Sequence, residues 1–239
     1  MKKLSIIIPV YNEEKTIELV LKRVEKVKFS GIEKEVIVVD DGSTDTSASI
    51  ISKVQKASSS FIFVQQKKNG GKGAAVRAGL QHATGDYIII QDADLEYDPQ
   101  DIAKLLKPVQ TGEAKVVYGT RLKRLPNFAR DERTGQFLLH YIGNKFLSLV
   151  TSILYFNWVT DMETCYKMFP KKALEGVVLH ARGFELEPEI TAKLLKRGYK
   201  IHDVPISTNP RGYDEGKKLH TVRDGSKAIW SLLKYRFID

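Results

Sequence analysis

Asp92-Ala93-Asp94, followed by Glu96, is the part of this sequence best suited to chemistry. Two carboxylates one residue apart, directly after the apolar run Tyr87–Ile90, face one cleft if the backbone turns there. Their hard oxygens suit Mg²⁺ or Mn²⁺, ions commonly held by one or two carboxylates plus substrate phosphates. The plainer alternative is an acidic turn ahead of a helix starting near Asp101. Three other clusters are also placed to line a cleft. In Pro9-Val10-Tyr11-Asn12-Glu13, Tyr11 offers a stacking face for a nucleobase and Glu13 accepts from ribose hydroxyls or a base N–H. The same residues also read as a helix start with Asn12 as N-cap. Asp40-Asp41-Gly42-Ser43 sets two acids at a strand end, for base or ribose donors or for a turn and cap. Asn69-Gly70-Gly71-Lys72-Gly73 is neither a P-loop, which needs Ser or Thr after Lys, nor a dinucleotide fingerprint, whose third glycine is replaced by Val76. It reads as a glycine turn that brings Lys72 and backbone N–H groups to a ribose or pyrophosphate.

The elements that must position these clusters alternate strand and helix. Leu4–Val10, Val36–Val39, Phe61–Val64 and Tyr87–Ile90 are almost uniformly apolar, as parallel strands buried on both faces are. Between them, Glu14–Val27 has helical spacing, Ser43-Thr44-Asp45 caps a helix to about Ala57, and Lys72–Ala83 reads as a third helix. The pattern predicts an α/β fold, an open and mostly parallel sheet with helices on both faces. Ligands of such sheets bind beyond the carboxyl ends of the strands, so three of the polar loops converge on one rim. In the second half, helices are predicted over Asp101–Val109, Phe137–Trp158, Glu187–Arg197 and Thr221–Tyr235. Strands are predicted over Lys115–Tyr118, Tyr166–Phe169 and Lys200–Ile206, with a basic loop at Arg121–Arg133 and a Pro- and Gly-punctuated loop at Asn209–Lys218. No repeat or linker divides the chain, so residues 1–239 are expected to form one domain.

Hydrophobic residues make up 42% of the 239 positions, enough for a sizeable core. Cys165 is the only cysteine, which fits a reducing compartment and a buried, inert thiol. No apolar run reaches the roughly 20 residues of a membrane span. The formal charge of +9 matches an anionic partner such as nucleotide phosphates or acidic lipid, or simply a solvated basic surface. The basic residues lack interleaved aromatics, which argues against nucleic acid. Phe137–Trp158 carries Phe146, Leu149, Leu154, Phe156 and Trp158 beside Arg121, Lys123, Arg124, Arg130 and Arg133. That combination fits peripheral contact with an anionic membrane, or a helix packed on the core or a second subunit. The expected location is cytoplasmic, at the inner face of the membrane.

Four motifs in order, SIIIPVYNEE (5–14), VIVVDDGSTD (36–45), NGGKGAAVRAGL (69–80) and GDYIIIQDADLEYDP (85–99), resemble a family 2 glycosyltransferase of GT-A fold. The remaining pieces, YGTRLKR (118–124), TDMETCYKMFP (160–170), GFELEPEITAKLLKRGYKIHDVPIS (183–207) and NPRGYDEGKKL (209–219), resemble the branch that moves sugars onto polyprenyl or dolichyl phosphates. The resemblance implies a nucleotide-sugar-binding half over about residues 1–120 and an acceptor-side half with C-terminal helices over about 121–239. It implies that Pro9, Tyr11, Glu13 and Asp41 bind the nucleoside and that Asp92 and Asp94 hold the metal, with Glu96 where the mannosyltransferases often carry Gln. Arg121, Arg211 and Lys218 match cations that meet phosphates, and Asp161 matches an acid facing the reaction centre. Lys167 stands where mannosyltransferases usually have Arg.

Such an enzyme would displace the nucleoside diphosphate with inversion at the anomeric carbon. Three readings follow: transfer of a hexose, from a GDP-mannose or UDP-glucose type donor, to a polyprenyl phosphate; transfer to a saccharide hydroxyl, with Asp161 as the base; and non-catalytic binding of sugar nucleotides. The intact D-A-D opposes the last.

Overall fold

The computed structural model describes residues 1–58, 60–122, 135–209 and 221–238. Among them, seven strands form one sheet in the order β3-β2-β1-β4-β6-β5-β7. The strands are β1 (Lys3–Val10), β2 (Glu33–Asp40), β3 (Ile62–Gln65), β4 (Tyr87–Ile90), β5 (Val116–Thr120), β6 (Lys167–Pro170) and β7 (Ile201–Pro205). β1 pairs in parallel with both β2 and β4, and β2 with β3. Leu4, Ile6, Ile7 and Ile8 are all fully buried. Successive strand residues face opposite sides, so burial at every position means that both faces of the sheet are covered.

β6 is the exception to the parallel rule. It runs antiparallel between β4 and β5, pairing Ile88 with Phe169 and Val117 with Met168. All four of its residues, Lys167 included, are buried, and so short a stretch carries no sign of strand direction. β5 and β7 are again parallel, so this sheet joins strands from both ends of the chain.

The helices are α1 (Ile17–Lys26), α2 (Ser47–Ser58), α3 (Lys72–His82), α4 (Ile102–Gln110), α5 (Gly135–Tyr155), α6 (Leu186–Lys196) and α7 (Thr221–Phe237). α3 packs on β1 and β2, α4 on β5, and α5, α6 and α7 on one another. One helix start differs from expectation. α1 begins three residues late, because Asn12 adopts a left-handed φ of 51° and residues 13–16 form a turn in which Thr16 and Ile17 both donate to the Glu13 carbonyl. Asn12 therefore does not cap α1; its side-chain oxygen accepts from the Thr44 N–H at 2.8 Å. α2 starts at Ser47, whose N–H is received by Asp45 at 2.9 Å, as a capping acid should do. Cys165 is buried, with its Sγ 3.6 Å from the Ile90 carbonyl, and burial pushes its thiol well above the usual range. That is the environment of an inert thiol. No described helix is long and apolar enough to cross a membrane.

Candidate active site

The rim expected to take the donor is made by loops leaving β1, β2 and β4, adjacent parallel strands whose ends meet in register, Val10 beside Asp40 and Ile7 beside Ile90. Pairing continues one step past the strands, with Asp41 N donating to Val10 O and Gln91 N to Ile7 O. Loops 11–16 and 41–47 are then stitched together. Glu13 N donates to Ser47 Oγ at 2.8 Å, and Glu14 accepts from Thr46 N and Oγ1 at 3.1 and 2.6 Å. Pro9, Tyr11 and Glu13 are half-buried on this rim, with the Glu13 carboxylate accepting from Thr16 Oγ1 at 2.8 Å.

Asp41 is buried, and its two oxygens accept from the N–H groups of Gly70 and Gly71 at 3.0 and 2.7 Å. Burial raises its carboxyl above the usual range although those N–H groups oppose the shift, and Asp40 alongside adds to it. The glycine turn thus docks on Asp41 rather than holding those N–H groups open for a ligand. Gly73 N donates to Arg182 O at 2.7 Å, and a Cβ at Gly71 would lie 2.3 Å from that same carbonyl oxygen. Close backbone approach therefore explains these glycines, and the N–H groups of Gly70, Gly71 and Gly73 are engaged within the protein. The 180–182 backbone they meet is held by Glu189, which accepts from Ala181 N at 2.7 Å.

What the turn delivers to the rim is the Lys72 ammonium. It lies 2.8 Å from Asp92 Oδ1 and 3.1 Å from Glu187 Oε1. Burial disfavours its charge, but Asp92 and Glu187 outweigh that and hold its pKa well above normal. Glu187 also accepts from Lys167 at 2.6 Å, and Lys167 donates to the carbonyls of Met162 and Thr164. The result is a line of alternating charge, Asp92, Lys72, Glu187, Lys167, which runs from the partly exposed rim to a fully buried lysine. Asp94 accepts from Glu96 N at 3.0 Å, across a turn in which Leu95 takes a left-handed φ of 64°. Asp92, Asp94 and Glu96 are each partly exposed, while Ala93 between the two acids is buried. Among the described residues no three His, Cys, Asp or Glu side chains could hold a metal by themselves.

Arg121 follows β5 directly. Its Nε and one terminal nitrogen donate to the two oxygens of Asp161, both at 2.8 Å, and its backbone N–H adds a third bond at 2.9 Å. Asp161 is fully buried, whereas the Arg121 side chain keeps 21% exposure. Burial disfavours the guanidinium charge, and Asp161 more than compensates, keeping its pKa raised well above normal. Arg121 also lies over the Tyr97 ring, which packs on Tyr166. Arg211 and Lys218, expected beside Arg121, lie outside the described residues, as do Lys123, Arg124, Arg130 and Arg133.

Sequence reasoning brought Asp41, Lys72, Asp92, Arg121 and Asp161 to notice but missed Glu187 as the hub between Lys72 and Lys167. The signal was present: Glu187 and Glu189 sit in α6, where every residue from Leu186 to Leu195 is buried. Acids in a helix without a solvent face need internal partners.

Residues 5–178 match the family model "Glycosyl transferase family 2", and the chain belongs to that family. It is 30% identical over 249 residues to a UDP-N-acetylglucosamine–dolichyl-phosphate N-acetylglucosaminyltransferase of Methanococcus voltae, covering 97% of this chain and 95% of that protein. It is 29% identical over 242 residues to a dolichol-phosphate mannosyltransferase of Pyrococcus furiosus, covering 98% of this chain and 64% of that protein. Glucosyl-3-phosphoglycerate synthase from Mycobacterium tuberculosis, solved with Mn²⁺, UDP and phosphoglyceric acid, superposes with a TM-score of 0.71 at 22% identity. That alignment covers all of this chain and 80% of the synthase, and it establishes the GT-A fold.

Proposed function

We propose that this glycosyltransferase moves a hexose from a nucleoside diphosphate sugar to a polyprenyl phosphate. The observation that carries the reading is Arg121, a partly exposed guanidinium locked by a buried acid on the strand beyond the acidic pair. Two relatives of near full-length similarity to this chain, named for different sugars, are both dolichyl-phosphate transferases by name. Tyr11, Glu13 and Asp41 form the nucleoside side, and Lys72 faces the pyrophosphate. Arg121 retains N–H donors beyond those given to Asp161, and such a fork is suited to a phosphate. Arg211 and Lys218 are assigned the same task. With both Asp161 oxygens on Arg121, the saccharide-hydroxyl reading loses its expected base.

The acids at the rim fit a divalent ion in their chemistry: a cation, Lys72 Nζ, already stands against Asp92, and Asp94 and Glu96 offer further hard oxygens. Asp92 and Asp94, with Glu96 beside them, would hold Mg²⁺ or Mn²⁺ together with donor phosphates. The ion would neutralise charge gathering on the departing diphosphate. Asp94→Ala is expected to lower metal-dependent affinity for GDP or UDP at least tenfold in calorimetry without shifting the thermal midpoint. Unchanged affinity in the presence of Mn²⁺ would remove Asp94 from the site.

A lipid acceptor also gives a use to the outer face of α5. Leu139, Ile142, Phe146, Leu149, Ile153 and Phe156 are exposed at alternating three- and four-residue steps, ending beside Trp158, which is 73% exposed. Leu154, expected in that stripe, packs instead against the core. α7 exposes Trp230, Leu233 and Phe237 alongside Lys234 and Arg236. Apolar faces with basic residues nearby suit an anionic bilayer. The protein should sediment with anionic liposomes more than with neutral ones at low salt; equal sedimentation, or a stable dimer in which Phe156 is buried, contradicts this assignment.

A further inference from the structure

Lys72 makes two ionic contacts of different kinds. Its Nζ lies 2.8 and 3.2 Å from the two oxygens of Asp92, and 3.1 Å from Glu187 Oε1. The Glu187 side chain is 3% exposed and also holds Lys167, whereas the Asp92 side chain is 20% exposed at the rim. A ligand arriving from solvent therefore meets the Asp92 contact first.

The backbone beneath Lys72 has no comparable freedom. On one side Asp41 holds the N–H groups of Gly70 and Gly71, and on the other Gly73 N donates to Arg182 O at 2.7 Å. The Asp92 backbone is tied as well, its carbonyl accepting from Gln91 Nε2 at 2.9 Å. Any exchange of partners at this point is made by the lysine's flexible four-carbon stem.

A divalent ion at the rim and this ammonium compete for the same oxygens. Among the described residues no three His, Cys, Asp or Glu side chains could hold an ion by themselves, so further oxygens must come from a ligand. The diphosphate of a donor supplies them, and it also offers the Lys72 ammonium a new anionic partner. Resting on the metal and donor assignments above, we infer that Lys72 makes metal binding depend on the nucleotide: it is a tethered competitor on both Asp92 oxygens, and a diphosphate that draws its ammonium outward frees them for the ion. Glu187 stays behind the ammonium throughout, so the lysine swaps one anion for another without losing charge compensation. By linkage, the factor by which the nucleotide tightens the metal equals the factor by which the metal tightens the nucleotide.

Electron paramagnetic resonance of Mn²⁺ reads the bound ion directly, without turnover. The full chain is titrated alone and with GDP or UDP, at matched free Mn²⁺. Wild type should hold Mn²⁺ at least about tenfold more tightly with one of these nucleotides than without. Lys72→Met keeps an unbranched stem and removes the charge. It should tighten nucleotide-free Mn²⁺ binding about tenfold and shrink the nucleotide's effect to below about threefold. Adding Asp94→Ala to Lys72→Met should abolish that gain; a gain that survives puts the ion elsewhere and overturns the inference. Equal nucleotide-free affinity in wild type and Lys72→Met overturns it too, and leaves the metal assignment intact. So does a wild-type protein that binds Mn²⁺ equally well with and without nucleotide, a result that stands even if Lys72→Met fails to fold. Mn²⁺ bound by neither protein, with or without nucleotide, removes the metal assignment and the inference with it.

Discussion

The donor rim and the acceptor side are built by different means. Around the donor rim, acids and hydroxyls receive or bridge backbone N–H groups of neighbouring loops: Asp41 takes Gly70 and Gly71, Ser47 takes Glu13, and Glu14 takes Thr46. From the rim's Lys72 toward the acceptor side, side chains distant in sequence pair charge to charge, as in Arg121 with Asp161 and Glu187 with both Lys72 and Lys167. The first arrangement fixes the shape of loops. The second fixes cations, and holds much of the charge balance out of water. A buried acid that serves two cations is then worth far more to the fold than one that orders a turn, because its loss leaves charges uncompensated.

The largest expected effect follows directly. Glu187→Gln should destabilise the protein by about 3–5 kcal/mol, since it strips the shared carboxylate from two buried lysines. Urea unfolding measures this, and a loss below about 1 kcal/mol would put Lys72 and Lys167 in solvent contact and dissolve the contrast. A smaller effect is expected at the rim. Asp41→Ala should cost about 1–3 kcal/mol, the penalty of leaving buried N–H donors unsatisfied. It should also weaken nucleoside diphosphate binding. If Asp41→Ala proved costlier than Glu187→Gln, the two regions would not differ in the way described here.

The same contrast decides what could be read from the chain. The rim was legible because its loops announce themselves by local residue type, D-A-D after the buried run Tyr87–Ile90, D-D-G-S after the buried run Val36–Val39, and N-G-G-K between the edge strand β3 and α3. Parallel pairing of β1, β2 and β4 then brings three of these loops to one end without further information. The acceptor side was less legible in physical terms. Arg121 and Asp161 are 40 residues apart and Lys72 and Glu187 are 115 apart, and charge pairing across such separations leaves no local pattern. The antiparallel direction of β6 was hidden because a four-residue strand looks the same either way. Asn12 misled for a related reason: Asn serves both as N-cap and in left-handed turns, and here contact with Thr44 selects the turn.

The central claim is that Arg121, held by Asp161, receives a lipid phosphate opposite a sugar nucleotide. The most direct measurement is the ratio of hexosyl polyprenyl phosphate formed to donor hydrolysed, followed by mass spectrometry across GDP-mannose, UDP-glucose and UDP-N-acetylglucosamine. The account predicts lipid product with one of these donors. It also predicts that Arg121→Ala lowers that ratio by about 100-fold, while Arg121→Lys, with charge but no fork, recovers part of it. Product on a saccharide hydroxyl and none on polyprenyl phosphate, or transfer and hydrolysis falling together in both variants, would contradict it.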